Sequence, residues 1–186
     1  HALLYDPGPA FNSETDSGNR ILVPALKGMG VTSLDTLILT HNDSDHTGGA
    51  LSVMQAMPVL SLSSSLPDDS PILLQATHTS RCGDGESWNW DGVHFELLHP
   101  AHASYTDKNN INNELGCVLR ISTGPHSVLL TADIEKTAER RLLELHPDKL
   151  AATLLVVPHH GSKTSSSPAF VAAVQPRYAV ITAGYR

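Results

Sequence analysis

Short apolar runs alternate with amphipathic stretches along this chain, and the two patterns predict different elements. Two pairs of strand-like runs, separated by an Asp-Gly and a Thr-Gly turn, predict hairpins at residues 88–97 and 117–130. Short apolar runs predict further strands at residues 3–5, 36–40, 152–157 and 178–182. Apolar positions at helical spacing predict helices at residues 20–29, 48–57, 134–145 and 168–174.

The order of these elements favours one fold class. Strands followed by a helix occur twice, which favours an α/β (α+β) protein with two sheets placed between helices over a doubly wound sheet. A length of 186 residues with 40% apolar content is typical of a single domain, here residues 1–186, with its own core. No apolar run approaches the roughly 18–20 residues of a membrane helix. The abrupt opening at His1, without a Met, favours a domain cut from a longer protein.

The charge balance narrows the class of partner. The chain has 12 Lys and Arg against 19 Asp and Glu, a formal net charge of -7. Phosphate contacts need clustered Lys and Arg, so this balance excludes a generic basic nucleic-acid face. An acidic site filled by cations stays open, and 11 histidines point to the same kind of site.

The strongest local signal is the segment from His41 to His46. It places His41, Asp43, Asp45 and His46 within six residues, directly after a predicted buried strand and before Gly48-Gly49. Imidazole and carboxylate together suit zinc, manganese or iron. The alternative is a solvated polar loop with capping side chains.

Two further apolar strands end in residues that can bind metal. Residues 129–132 lead to Asp133, which taken alone could equally cap the following helix, and residues 152–157 lead to His159 and His160. Strand ends commonly converge to build the sites of α/β proteins, so we expect a joint metal site.

These residues together resemble the metallo-β-lactamase family. The matching motifs, in chain order, are Asp6-Pro7-Gly8, His41-x-Asp43-x-Asp45-His46, Asp133 as bridging carboxylate, and Pro158-His159-His160-Gly161. The resemblance implies a four-layer αββα sandwich with two mixed sheets packed face to face between helices. It also implies that His160 is the metal ligand and His159 its neighbour.

Within that family the chain resembles the domain of ComEC-type DNA-uptake proteins. The motifs that carry this likeness are Trp-x-Trp-Asp-Gly-Val-x-Phe, Leu-Thr-Ala-Asp-Ile-Glu and Pro-His-His-Gly-Ser-Lys-Thr-Ser-Ser. The likeness implies that a membrane channel portion lies outside this chain and that the domain faces the periplasm, outside the bacterial inner membrane. In that compartment Cys82 and Cys117 would form a disulfide, although two buried thiols are the alternative.

The chain departs from the family pattern at two ligand positions. The stretch around Asn113 offers no histidine as third ligand, and Gly116 stands where related domains usually carry Ser. Asp43 replaces a His. An oxygen-rich site shifts preference from zinc toward manganese, so we expect two divalent ions, Mn²⁺ favoured and Zn²⁺ possible, with one site weak.

The resemblance also implies a reaction. One cation would lie among His41, Asp43 and Asp133, and the other would have the ligands Asp45, His46, Asp133 and His160, with Asp45 and His160 in catalytic roles. We expect Asp6, Asn113, His159, Ser162 and Lys163 to support these ligands or contact substrate phosphate. The expected activity is hydrolysis of the DNA strand that is not imported, by a monomeric domain. The alternatives are a metal-poor domain that guides DNA or gates the channel, and a small-ester or phosphocholine-type hydrolase.

Overall fold

The computed structural model describes residues 1–107 and 112–183, which fold into two compact units. The first unit is His1–Arg81 and the second begins at Cys82. Each unit contains one β-sheet together with helices. The predicted mixed α/β class with two sheets is therefore confirmed. Within the described residues, no helix combines the length and the apolar character that crossing a membrane requires.

The first unit is built on a parallel sheet of four strands in the order β1-β2-β3-β4. Its strands are β1 (Leu3–Tyr5), β2 (Leu34–Leu39), β3 (Val59–Ser64) and β4 (Thr79–Arg81). All three strand pairs are parallel. Parallel neighbours need crossover connections, and each connection here contains helical turns. The expectation of a mixed sheet therefore does not hold for this unit, whose sheet is wholly parallel.

The helices of the first unit lie in these crossovers. They are a π-helical turn (Gly18–Leu22), α1 (Val23–Gly28), α2 (Ser44–Thr47), α3 (Ala50–Ala56) and a 3-10 turn (Leu73–Gln75). The helix predicted at residues 20–29 is present as one continuous run, because the π-helical turn passes directly into α1 and both Leu22 and Val23 keep the right-handed helical conformation. Pro24, which has no N–H to bond the carbonyl four residues earlier, lies in the first turn of α1.

The core of the first unit forms between its helices and β2. Leu34 packs with Val53 and Met57, while Leu37 and Leu39 pack with Ala50, Leu62 and Leu66. These contacts pack β2 along its length, so the position of its carboxyl end, and of the residues that follow it, is fixed.

The second unit contains a mixed sheet of six strands in the order β10-β9-β8-β7-β6-β5. Its strands are β5 (Ser87–Trp90), β6 (Val93–His99), β7 (Val118–Thr123), β8 (His126–Leu130), β9 (Leu154–Val156) and β10 (Tyr178–Val180). Both predicted hairpins are confirmed as antiparallel pairs. The first turns through Asp91 and Gly92, whose φ angles of 50° and 82° are those a tight hairpin turn requires.

The helices of the second unit cover one face of this sheet. They are α4 (Lys136–Leu145), α5 (Pro168–Val174) and 3-10 turns at His102–Thr106, Asn112–Leu115, Pro147–Lys149 and Pro158–Gly161. Ile134, Leu142 and Phe170 pack with buried residues of four strands, among them Leu129 and Leu155. The helix predicted from residue 134 begins two residues later, because Glu135 is extended and occupies its N-cap position.

Candidate metal centre

The first unit brings together two histidines of the predicted ligand segment. His41 follows β2 and is fully buried, and His46 lies in α2 with 7% of its surface exposed. Their ring centroids are 4.1 Å apart. The chain turns back at Asp43, the N-cap of α2, so residues five apart in sequence face each other.

Asp6 orients both rings through a short hydrogen-bond chain. Its carboxylate accepts the Thr40 backbone N–H at 2.9 Å, the Thr40 hydroxyl at 2.7 Å and His46 Nδ1 at 2.8 Å. The Thr40 hydroxyl in turn lies 2.9 Å from His41 Nδ1 and accepts its proton, because its own proton is donated to Asp6. Both imidazoles then carry the proton on Nδ1, which leaves Nε2 as the nitrogen that can bind a metal.

The two acidic residues of the same segment lie beside these nitrogens. Asp43 Oδ2 is 3.5 Å from His41 Nε2, and Asp45 Oδ2 is 3.9 Å from His46 Nε2. Asp43 occupies the N-cap position but its side chain makes no capping hydrogen bond, so the capping alternative gains no support. Asp6, His41 and His46 offer ligand atoms within 4.8 Å of one another. This mixture of imidazole and carboxylate donors suits a divalent cation.

The second unit brings Asp133 and both histidines of the later motif together. Asp133 is 4% exposed. Its Oδ2 lies 3.5 Å from His160 Nε2 and 3.8 Å from His159 Nε2. Ala132, His159 and His160 all have φ near 50°, the left-handed region that costs energy for residues other than glycine. A strained backbone at such positions is typical of functional sites.

Two further residues orient these histidines, and sequence reasoning did not single out either of them. His160 Nδ1 donates to Thr182, whose carbonyl oxygen is 2.8 Å away, so Nε2 faces Asp133. Glu135 Oε1 lies 3.3 Å from His159 Nδ1. The position of Glu135, two residues after a candidate ligand, is the one sequence signal that could have found it.

The segment around Asn113, where the family's third histidine ligand is absent, packs against Ala132, the residue before Asp133. Gly116 donates its N–H to the Asn113 carbonyl at 3.0 Å, and a Cβ at Gly116 would lie 3.1 Å from the Ala132 Cβ. A serine at this position would therefore press on the residue before Asp133. Asn113 is half-buried in the same segment.

Buried groups hold that segment in place. His99 donates from Nε2 to the Glu114 carbonyl at 2.8 Å, and burial lowers the pKa of His99 to about 4. Burial raises the pKa of the Glu114 carboxyl, and the nearby backbone N–H groups of Ala138 and Thr137 in the first turn of α4 act in the opposite direction. A disulfide joins Cys117, at the end of this segment, to Cys82, as the resemblance implied.

The loop after His160 contains the last two predicted residues. Ser162 is half-buried and its Oγ lies 3.0 Å from Thr164 Oγ1, while Lys163 is exposed. Glu139, fully buried in α4, accepts the backbone N–H of Ser167 at 2.8 Å and that of Ser166. Sequence reasoning missed Glu139, because its position within an amphipathic helix looks like any other charged residue.

The chain falls in a superfamily whose members are mostly metal-dependent hydrolases. The model of the metallo-beta-lactamase superfamily matches residues 1–106, more than half of the chain, and the chain belongs to that superfamily. The solved structure of CmlA, a diiron beta-hydroxylase from Streptomyces venezuelae, shares the fold at a TM-score of 0.54 with 18% identity, covering 80% of this chain and 35% of that one.

Relatives in sequence narrow the class further. The chain is 38% identical to competence protein ComA of Neisseria gonorrhoeae over 98% of its length, and 34% identical to ComE operon protein 3 of Bacillus subtilis over 90%. It is therefore similar to ComEC-type competence proteins nearly from end to end. It spans 24% and 22% of the length of these two relatives.

Proposed function

We propose that this chain is a metal-dependent phosphodiesterase domain that hydrolyses DNA. The observation that carries the proposal is the chain from Asp6 through Thr40 to His41 and His46, which fixes two buried imidazoles with Nε2 ready for a cation. Such carboxylate–histidine pairs are characteristic of metal centres. The competence relatives supply the substrate class, because competence proteins are those of DNA uptake.

The ligand set follows from the resemblance and from the geometry inside each unit. The residues we assign to divalent cations are His41, Asp43, Asp45, His46, Asp133 and His160. Two such cations held by these residues would supply activation of water and neutralisation of the charge on the phosphodiester. With three carboxylates among six ligands, we expect Mn²⁺ to be preferred over Zn²⁺ and the second ion to bind more weakly.

Three side chains of the protein have separate roles in this reaction. Asp45, whose side chain is 54% exposed, accepts the proton of the attacking water. His160, held at Nδ1 by Thr182, keeps Nε2 directed at Asp133. Asp6 orients the histidine rings and touches no substrate. As water adds to phosphorus, the P–O bond to the leaving nucleotide breaks and the leaving oxygen takes up a proton from solvent.

The larger setting is also part of the proposal. The chain is one portion of a longer membrane protein whose channel imports one strand, and this domain degrades the other strand on the periplasmic side. Its partners are DNA and the channel portion, and the isolated domain is a monomer. With few Lys and Arg, the domain alone is expected to hold DNA weakly.

The test is cleavage of DNA by the Mn²⁺-loaded chain, with and without a chelator. Fluorescent single- and double-stranded DNA is degraded by the wild type, and degradation stops with chelator or with Asp45→Ala. Asp69→Ala, which removes an exposed carboxylate elsewhere in the same unit, is the control and keeps full activity. A parallel assay offers a lactone and a phosphocholine ester.

Each alternative function has its own outcome in this assay. Hydrolysis of the lactone or the phosphocholine ester with intact DNA indicates the small-ester hydrolase. Intact substrates throughout, with no metal retained on the protein, indicate the guiding or gating domain. Either result overturns the proposal.

A further inference from the structure

The loop from Ser162 to Ser167 is tied to α4 at both of its ends. Lys136 donates its backbone N–H to the Thr164 carbonyl at 3.2 Å and its Nζ to the Lys163 carbonyl at 3.0 Å. At the far end, the buried Glu139 carboxylate accepts the backbone N–H groups of Ser166 and Ser167. A loop held at this many points presents its side chains from a fixed backbone.

Two lysines lie at this loop, Lys163 within it and Lys136 at the start of α4. The bond from Lys136 Nζ to a carbonyl oxygen uses one of three ammonium protons and leaves the full positive charge. Within residues 1–107 and 112–183, neither Lys136 nor Lys163 forms an ion pair, and both are exposed. Lys149 differs, because its ammonium pairs with the Glu96 carboxylate.

Hydroxyl groups lie on the same short loop. Ser162 Oγ and Thr164 Oγ1 are 3.0 Å apart, and Thr164 Oγ1 is 3.2 Å from His159 Nδ1. Ammonium and hydroxyl groups on a fixed backbone are the donors that proteins use to position nucleic-acid phosphates. The loop starts two residues after His160, a proposed metal ligand.

We propose that Lys136 and Lys163 form a phosphate-binding pair that holds the DNA backbone at a phosphate next to the one being cleaved. This inference rests on the proposed function, since it takes the substrate to be a polynucleotide. Lys136 is the new residue, because it lies on α4 outside every motif that predicted the site. A chain with few basic residues then concentrates its contact with DNA beside the ligand His160.

The test measures DNA binding separately from cleavage. Variants Lys136→Gln and Lys163→Gln, singly and together, are made in the Asp45→Ala background so that the DNA stays intact. Fluorescence anisotropy with a labelled single-stranded oligonucleotide is recorded over a salt series at fixed Mn²⁺. Each lost phosphate contact lowers the slope of log K against log salt by about 0.7, so the double variant should lose about 1.4.

Matched variants separate phosphate binding from a change in folding. Lys27→Gln, which makes the same charge change on α1, should leave the slope unaltered, and Lys136→Arg should restore it. Equal slopes for the wild type and the double variant, or an equal loss with Lys27→Gln, overturn the inference. If the slopes fall as expected while the wild-type domain cleaves no DNA, the phosphate-binding pair stands and the proposed nuclease activity fails.

Discussion

The two clusters of candidate metal ligands in this protein are built in different ways. In the first unit, four candidate ligands come from one six-residue segment, and one carboxylate from the preceding strand end orients both histidines. In the second unit, Asp133 and His160 come from segments 27 positions apart and depend on distant residues such as Thr182 and Glu139. The first cluster is local in sequence, whereas the second is assembled by tertiary packing.

This difference shows which part of such a site tolerates change. A local cluster depends on one short segment and one orienting group. Loss of the orienting group should therefore lower its metal affinity without dispersing the ligands. A cluster assembled from several segments needs each of them held in place, and the second unit supplies a disulfide, a buried histidine and two buried glutamates for that purpose.

The largest effect is expected at the carboxylate of the second cluster. Asp133→Asn removes the anionic oxygen that both histidines face and should lower the rate of DNA cleavage on the order of 10³-fold. His159→Gln is the comparison, since this ring neighbours the ligand set and its loss should cost far less. Equal losses for the two variants, measured as kcat under saturating Mn²⁺, would contradict the assignment of His160 over His159.

The disulfide should contribute the next largest effect, on stability. It closes a sequence separation of 35 residues, which in the chain-entropy model corresponds to roughly 4 kcal/mol. Urea unfolding of the protein with Cys82→Ser and Cys117→Ser should show a loss of this order. Reducing agent should destabilise the wild type and leave the double variant unchanged, and an unaltered midpoint in both would show that the bond does not stabilise the unit.

His99 should make the protein sensitive to mild acid. Its pKa is about 4 when folded, whereas an exposed histidine titrates near 6.5, so the unfolded chain binds the proton first as the pH falls. Stability present above pH 6.5 is therefore lost between pH 6.5 and 4, by about 3 kcal/mol.

The matched measurement for His99 is urea unfolding at several pH values. His99→Gln, which can still donate to the Glu114 carbonyl, should flatten the dependence in this window, while His126→Gln on an exposed strand position should retain it. The comparison is needed because Glu114, whose pKa is raised by burial, acts with the opposite sign. An unchanged slope in His99→Gln would assign the acid sensitivity elsewhere.

The smallest effect is expected at the orienting residue of the first cluster. Asp6→Asn replaces the carboxylate that accepts from Thr40 and His46, and loss of such a partner costs 10- to 100-fold in metal affinity, as an order of magnitude. Mn²⁺ affinity is measured by competition with a fluorescent chelator. Asp35→Asn, which changes the same charge at a carboxylate bonded to Ala2, should retain the wild-type affinity. Equal affinities in all three proteins would mean that Asp6 does not orient the ligands.

The sequence predicted the first cluster better than the second for a physical reason. Residues 41–46 carry both the ligands and the turn that gathers them, so spacing alone identified the segment. Glu139, His99 and Thr182 act across 15 to 28 positions of sequence, as side chains that no local pattern distinguishes from surface or core residues. Secondary structure shows the same contrast: the hairpins with glycine turns were predicted correctly, whereas the π-helical turn within the first helix was not.

The most direct test of the account is an Mn²⁺ titration of the metal-free protein while DNA cleavage is recorded. We expect no cleavage without metal, and activity that rises with bound Mn²⁺ and saturates as two equivalents per chain are taken up. In the same titration, the Asp133→Asn variant should bind less metal and cleave almost no DNA. Metal uptake by the wild type without cleavage of single- or double-stranded DNA at any loading would contradict the account.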